Sequence, residues 1–228
     1  MSSENPILPY QKQFIDFLVE AEVLTFGDFV TKSGRKTPYF VNTGRFNTGA
    51  RIARVGDFFA THIQKMGLSE IDSVFGPSYK GVPLCVTTSR ALHQEHGIDV
   101  GFTFNRKERK EHGDGGNYVG TPLNDGTRIL IVEDVITAGL TLREVVTAIK
   151  DFAAVDIRGV IVSVDRCEKG KGESSATKEV SDALGLAIYP IVTIHEVIQY
   201  LSEPNSSGFT LSEDLLTRMN AYLEEYGA

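Results

Sequence analysis

Two adjacent carboxylates, Glu133 and Asp134, follow an apolar run and precede a turn of small and hydroxylated residues, Thr137-Ala138-Gly139-Leu140-Thr141. Carboxylates so placed suit ribose hydroxyls, a hydrated divalent cation, or both. Small residues, hydroxyls and backbone N–H groups where a helix begins suit a phosphate. The pair and the turn therefore read as a ribose-phosphate site. A plainer reading, an ordinary strand-to-helix turn whose carboxylates cap the helix, stands beside it. The second stretch with chemistry is Arg106-Lys107-Glu108-Arg109-Lys110-Glu111-His112, four cations and a histidine in seven positions, ahead of the glycine-rich Gly113–Asn117. It lies in a segment, 105–121, without apolar periodicity, and a loop of that length is either functional or a solvated surface loop. Read functionally, it is a mobile cationic lid that closes over a polyphosphate, neutralises a leaving group and excludes water. It is no dinucleotide fingerprint, because its glycines neither follow a strand nor open a helix.

The elements that must position these groups alternate. The run Ile129–Val132, three of its four residues β-branched, predicts a strand buried on both faces of a parallel sheet, with a helical pattern from Leu142 to about Phe152. Strands are expected over 71–75, 100–104, 158–164 and 187–192, and helices over 82–95, 194–201 and 212–226. Upstream, Phe14, Ile15, Phe17, Leu18 and Leu24 space an N-terminal amphipathic helix within 8–24, and Ile52, Val55, Phe59, Ile63 and Met66 a long helix from Thr48 to Met66. Between them, Thr31–Thr37 is a basic turn and Pro38 starts a short extended piece. Such alternation predicts an α/β fold with helices on both faces of a parallel sheet. Ligands of such sheets bind beyond the carboxyl ends of the strands, where Glu133–Thr141 falls.

With 228 residues the chain fits one domain. Hydrophobic residues at 41% and charged residues at 23% are ordinary for a soluble protein, and a net charge of −7 argues against general nucleic-acid affinity. The two cysteines, Cys85 and Cys167, form no CxxC pair, so neither a thiolate metal site nor a disulfide framework is expected. No signal peptide and no apolar stretch long enough to span a membrane are evident, so a cytoplasmic protein is expected.

Four stretches, in order, are more specific than any alone: Lys32–Phe40, Gly76–Gly81, Phe104–Gly113 and Glu133–Thr141. Together they resemble the four motifs of the orotate phosphoribosyltransferase family, among the type I phosphoribosyltransferases. The resemblance implies that family's fold over 1–228 as a single domain: a mostly parallel central sheet flanked by helices, a small N-terminal hood over about 1–45, and a flexible catalytic loop over 105–121. It implies transfer of a 5-phosphoribosyl group from 5-phospho-α-D-ribose 1-diphosphate to orotate with Mg²⁺, in a homodimer whose lids complete the partner subunit's sites. No direct protein ligand for the metal is implied, the ion being held mainly by substrate and water.

Residue by residue, the resemblance assigns Glu133 and Asp134 to the ribose hydroxyls. Thr137, Ala138, Gly139, Leu140 and Thr141 cradle the 5′-phosphate, and Val135 and Ile136 belong to the same phosphoribosyl-diphosphate site. Lys32, Tyr79 and Lys80 surround the diphosphate, and Arg106, Lys107, Lys110 and His112 belong to the lid. Lys110 is the principal electrostatic catalyst, with His112 assisting and Asp134 counted beside them. Phe40, Val41, Thr137 and Arg166 face orotate, where Arg166 suits its carboxylate. Core packing for Phe40, and an ion pair of Arg166 with Asp165 or Glu168, are the plainer alternatives. The turn carries Ala138 where the motif often has a second threonine. A phosphoribosyltransferase for a purine or uracil fits Lys32–Phe40 and the Arg106–His112 lid less well. A DNA-binding sensor of phosphoribosyl diphosphate would call for a basic recognition helix, which Gln11–Glu22, with a single lysine, does not supply.

Overall fold

The computed structural model describes residues 6–31, 34–107 and 116–228. Its frame is a six-stranded sheet in the order β5-β4-β3-β6-β7-β8. The strands are β3 (Ser73–Gly76), β4 (Gly101–Asn105), β5 (Tyr118–Gly120), β6 (Arg128–Glu133), β7 (Asp156–Asp165) and β8 (Ile188–Thr193). All neighbours run parallel except β4 and β5. The expected mostly parallel sheet is therefore present, with β6 near its centre.

β6 shows why the sheet is covered on both faces. Side chains alternate across a strand. Leu130 and Val132 join a core with Phe14, Phe59 and Leu92, whereas Ile129 and Ile131 join another with Leu142, Val146 and Val180. All four β6 residues are fully buried. The first core is roofed by α1 (Pro9–Glu20), α2 (Gly49–Lys65), α3 (Gly81–His96), α6 (Ile194–Leu201) and α7 (Glu213–Tyr226), and the second by α4 (Leu140–Phe152) and α5 (Ala176–Leu184). Thr48 caps α2 by accepting a hydrogen bond from Arg51 N, which fixes the start expected there.

A separate antiparallel hairpin, β1 (Leu24–Val30) and β2 (Lys36–Val41), occupies the segment expected as an N-terminal hood. The extended piece at Pro38 is thus one arm of a pair. Other elements also depart from the expectation. The N-terminal helix ends at Glu20, and Leu24 opens β1 instead of closing that helix. The 105–121 segment is not wholly irregular, because Tyr118–Gly120 pairs with β4. Helix α5 was not expected, and α4 begins two residues before Leu142. Among the described residues no helix is long and apolar enough to cross a membrane.

Candidate active site

The carboxyl ends of β3 and β6 open into a cleft of about 520 Å³ lined by Pro77–Lys80 and Glu133–Leu142. β6 delivers its two carboxylates at the cleft floor, where Glu133 is 9% and Asp134 6% exposed. The pair is asymmetric. Glu133 accepts a hydrogen bond from Asp134 N at 3.0 Å, and burial, followed by the Asp134 charge, pushes its carboxyl well above the usual range. Burial alone would raise Asp134 as well. Hydrogen bonds from Lys80 and Thr43, with the Val135 amide, outweigh it and hold that carboxyl below its ordinary value. Lys80 Nζ lies 2.7 Å and Thr43 Oγ1 2.5 Å from Asp134 Oδ2. One floor thus carries a carboxylate that stays charged and a carboxyl that favours its neutral form.

The turn above the floor is set by Gly139. Its φ of +66° is left-handed, and a Cβ there would lie 2.3 Å from Val180 Cγ2, so only glycine fits without displacing α5. Gly139 begins α4 without a side-chain cap, which leaves the first-turn N–H groups for an external acceptor. Thr137, Ala138, Leu140 and Thr141 are exposed, with Val135 half-buried and Ile136 buried beneath them.

The opposite wall is the β3–α3 turn. Gly76 and Gly81 touch there, since a Cβ on Gly76 would stand 2.0 Å from Gly81 O. Tyr79 and Lys80 project from this turn, and Lys107 Nζ sits 5.0 Å from the Tyr79 ring centroid. Ser78 N donates to Asn105 Oδ1 at 2.9 Å, and Ser78 Oγ donates to Asn105 O, so the turn is fastened to the root of the cationic segment. That root is a β-ribbon. Beyond the β4–β5 pairing, Arg106 N donates to Asn117 O at 2.7 Å, and Arg106 and Lys107 are exposed at its end.

Of the residues assigned from sequence, Tyr79, Lys80 and Glu133–Thr141 share one cleft, and Lys107 reaches its rim. Lys32, Lys110 and His112 lie outside the described residues. Phe40, Val41 and Arg166 do not line this cleft. Phe40 is 39% exposed and stacks on Phe29 at 5.6 Å, so it is not core packing, while Val41 is half-buried. Arg166 follows β7, and its Nη2 lies 2.6 Å from Glu168 Oε1. The ion pair is present, but both side chains are 15% exposed, which makes it an interior contact. Thr43, which follows the hood in a short 3-10 turn, was not singled out from the sequence. Nothing in Asn42-Thr43-Gly44 marks it, because its partners are 37 and 91 residues away.

Among the described residues no group of three or more His, Cys, Asp or Glu side chains is placed to hold an ion. The donors fit a divalent cation that takes most of its oxygens from substrate and water, since Asp134 is already bound to Lys80 and Thr43.

Residues 46–186 match the model of the phosphoribosyl transferase domain. The chain is 49% identical over 220 residues to the orotate phosphoribosyltransferase of Clostridium beijerinckii, covering 96% of this chain and 98% of that one. It is 49% identical over 218 residues to that of Vibrio parahaemolyticus, at the same coverage. The crystal structure of the Francisella tularensis orotate phosphoribosyltransferase superposes with a TM-score of 0.83 at 34% identity, covering 95% of this chain and all of that one. On sequence and on fold, the chain belongs to the orotate phosphoribosyltransferase family.

Proposed function

We propose that this chain transfers the 5-phosphoribosyl group from 5-phospho-α-D-ribose 1-diphosphate to orotate, giving orotidine 5′-monophosphate and diphosphate in pyrimidine nucleotide synthesis. The observation that carries this reading is the single cleft in which a buried acid pair, an uncapped helix start and Lys80 meet.

In the reaction the C1–oxygen bond to diphosphate breaks, and a bond from C1 to the deprotonated ring nitrogen of orotate forms. Positive charge develops on the sugar between the two events. The N–H groups and hydroxyls of Thr137–Thr141 hold the 5′-phosphate. Asp134 and Glu133 hold the ribose hydroxyls, with Asp134 supplying negative charge beneath the ring and Glu133, in its neutral form, able to donate. Substrate hydroxyls take over the Asp134 oxygens from Lys80, whose ammonium then turns to the diphosphate with Tyr79 and Lys32. Arg106, Lys107, Lys110 and His112 close over the leaving group and stabilise its charge. A Mg²⁺ ion held mainly by substrate and water beside the Glu133–Asp134 pair would supply further charge neutralisation. Phe40 and Val41 meet the flat base through a ring face and backbone N–H groups, Thr137 borders it, and Arg166 receives its carboxylate.

The working form is a homodimer with lids shared between subunits, in the cytoplasm; the free thiols of Cys85 and Cys167 support a reducing compartment. The direct test is to incubate the protein with orotate, phosphoribosyl diphosphate and Mg²⁺ and follow loss of orotate absorbance. Turnover of uracil or hypoxanthine in place of orotate would overturn the substrate assignment.

A further inference from the structure

One carboxylate outside the cleft gathers more partners than any surface ion pair needs. Glu168 Oε1 accepts from Tyr39 OH at 3.1 Å and Tyr222 OH at 2.8 Å, and lies 2.6 Å from Arg166 Nη2. Its Oε2 accepts from Arg35 at 3.3 Å. These partners come from the hood hairpin, the segment after β7 and the C-terminal helix. The backbone is bent to permit it. Cys167, between Arg166 and Glu168, holds a left-handed φ of +50°, and its N–H donates to Asp165 Oδ1 at 2.8 Å. The chain end fastens the bend, with Lys169 N donating to Tyr226 O at 2.8 Å and Ala228 N to Cys167 O at 3.0 Å. A non-glycine residue in this conformation costs energy and persists where the surroundings over-determine it.

Two guanidinium groups thus share one carboxylate, with Arg166 and Glu168 each 15% exposed and Arg35 nearer the surface. Arg166 is also left incompletely bonded. Its Nη2 is close enough to Glu168 for charge attraction, yet its N–H groups find no aligned acceptor among the described residues. Its Nε reaches only Tyr39 OH, at 3.4 Å. Nη2 is sealed against Glu168, so the donors left for a ligand are those of Nη1, which makes no hydrogen bond among the described residues.

We propose that Glu168 is a positioning residue for the acceptor-base site: with Tyr39 and Tyr222 it fixes the Arg166 guanidinium so that its remaining donors meet the carboxylate of the base. Glu168 touches no substrate itself, and the C-terminal helix thereby becomes part of base recognition. The proposal rests on the assignment of Arg166 to orotate.

The test is steady-state kinetics of the wild type, Glu168→Gln, Arg166→Ala and the double variant. Glu168→Gln should raise KM for orotate about tenfold while KM for phosphoribosyl diphosphate stays within about twofold. Added to Arg166→Ala it should cost less than about a further twofold, because both changes act through one group. An unchanged orotate KM, an equal rise in both KM values, or full additivity overturns the proposal. If Arg166→Ala leaves the orotate KM unchanged, the base-site assignment falls and the proposal with it; if Arg166→Ala acts alone, only the role of Glu168 falls. Should Glu168→Gln fail to fold, Tyr222→Phe decides: a selective rise in orotate KM supports the proposal, and an unchanged value overturns it.

Discussion

Lys80 Nζ and Asp134 Oδ2 are 2.7 Å apart across the cleft, and Thr43 Oγ1 stands 3.1 Å from the same ammonium. Under the roles proposed above, the acid that takes ribose and the cation that takes diphosphate thus neutralise each other across the cleft. Lys80→Gln should lower kcat/KM for phosphoribosyl diphosphate by about 10²-fold. Thr43→Val, which removes one hydrogen bond to a charged acceptor, should cost roughly tenfold. Initial rates at saturating orotate measure both, and wild-type behaviour of Thr43→Val would make its hydroxyl dispensable.

Lys110→Ala should cut kcat by roughly 10²-fold or more while the protein still folds. If lids serve the neighbouring subunit, mixing Lys110→Ala with Arg166→Ala should restore part of the activity, because one hybrid site then carries both intact residues. Absence of recovery despite demonstrated subunit exchange would mean self-contained subunits.

Gly139→Ala should raise KM for phosphoribosyl diphosphate and lower stability by about 1–2 kcal/mol from the left-handed backbone alone, before any clash. Because the added Cβ would meet Val180, the double variant Gly139→Ala, Val180→Ala should regain part of the melting temperature. A single variant with unchanged melting and KM would remove the turn's need for glycine.

His62 gives a pH dependence separate from catalysis. It is 3% exposed, with Nδ1 2.8 Å from Tyr10 OH, and burial pulls its pKa down to about 4. Unfolding restores an ordinary value near 6.5, so between these values the unfolded chain binds more protons. The stabilising contribution is complete above about pH 6.5 and is lost as pH falls toward 4, to a total of about 3 kcal/mol. Urea melts from pH 7.5 to 4.5 should therefore show a shallower loss for His62→Gln than for the wild type. Equal slopes would assign the acid sensitivity elsewhere.

The legible parts of the fold were those whose residues repeat a pattern. β6 announced itself because both of its faces are apolar, and α2 because its apolar face recurs every three or four residues beyond a threonine cap. β1 did not, because Gly27 and Asp28 interrupt it and its register shifts between Phe26 and Phe29, so Leu24 reads in sequence as an extension of the preceding helix. Helix α5 offers only Val180 as an apolar anchor in its middle, and its start is written in the Ser175 cap. The site divides likewise. Glu133–Thr141 is contiguous and was visible, as was the short-range pair of Arg166 with Glu168, whereas Thr43 and the contacts of Glu168 with Arg35, Tyr39 and Tyr222 rest on partners remote in the chain. Residue types alone do not state such contacts.

The β4–β5 ribbon has a bearing on how the protein behaves in concentrated solution. β5 is three residues long and runs antiparallel along β4, so it covers the flank of a parallel sheet that would otherwise present a row of unpaired amides and carbonyls. The segment proposed to supply cations for catalysis thus also carries the strand that covers that flank. Shortening it to simplify the active site would uncover a template for strand addition, and the expected symptom is concentration-dependent precipitation in addition to lost turnover.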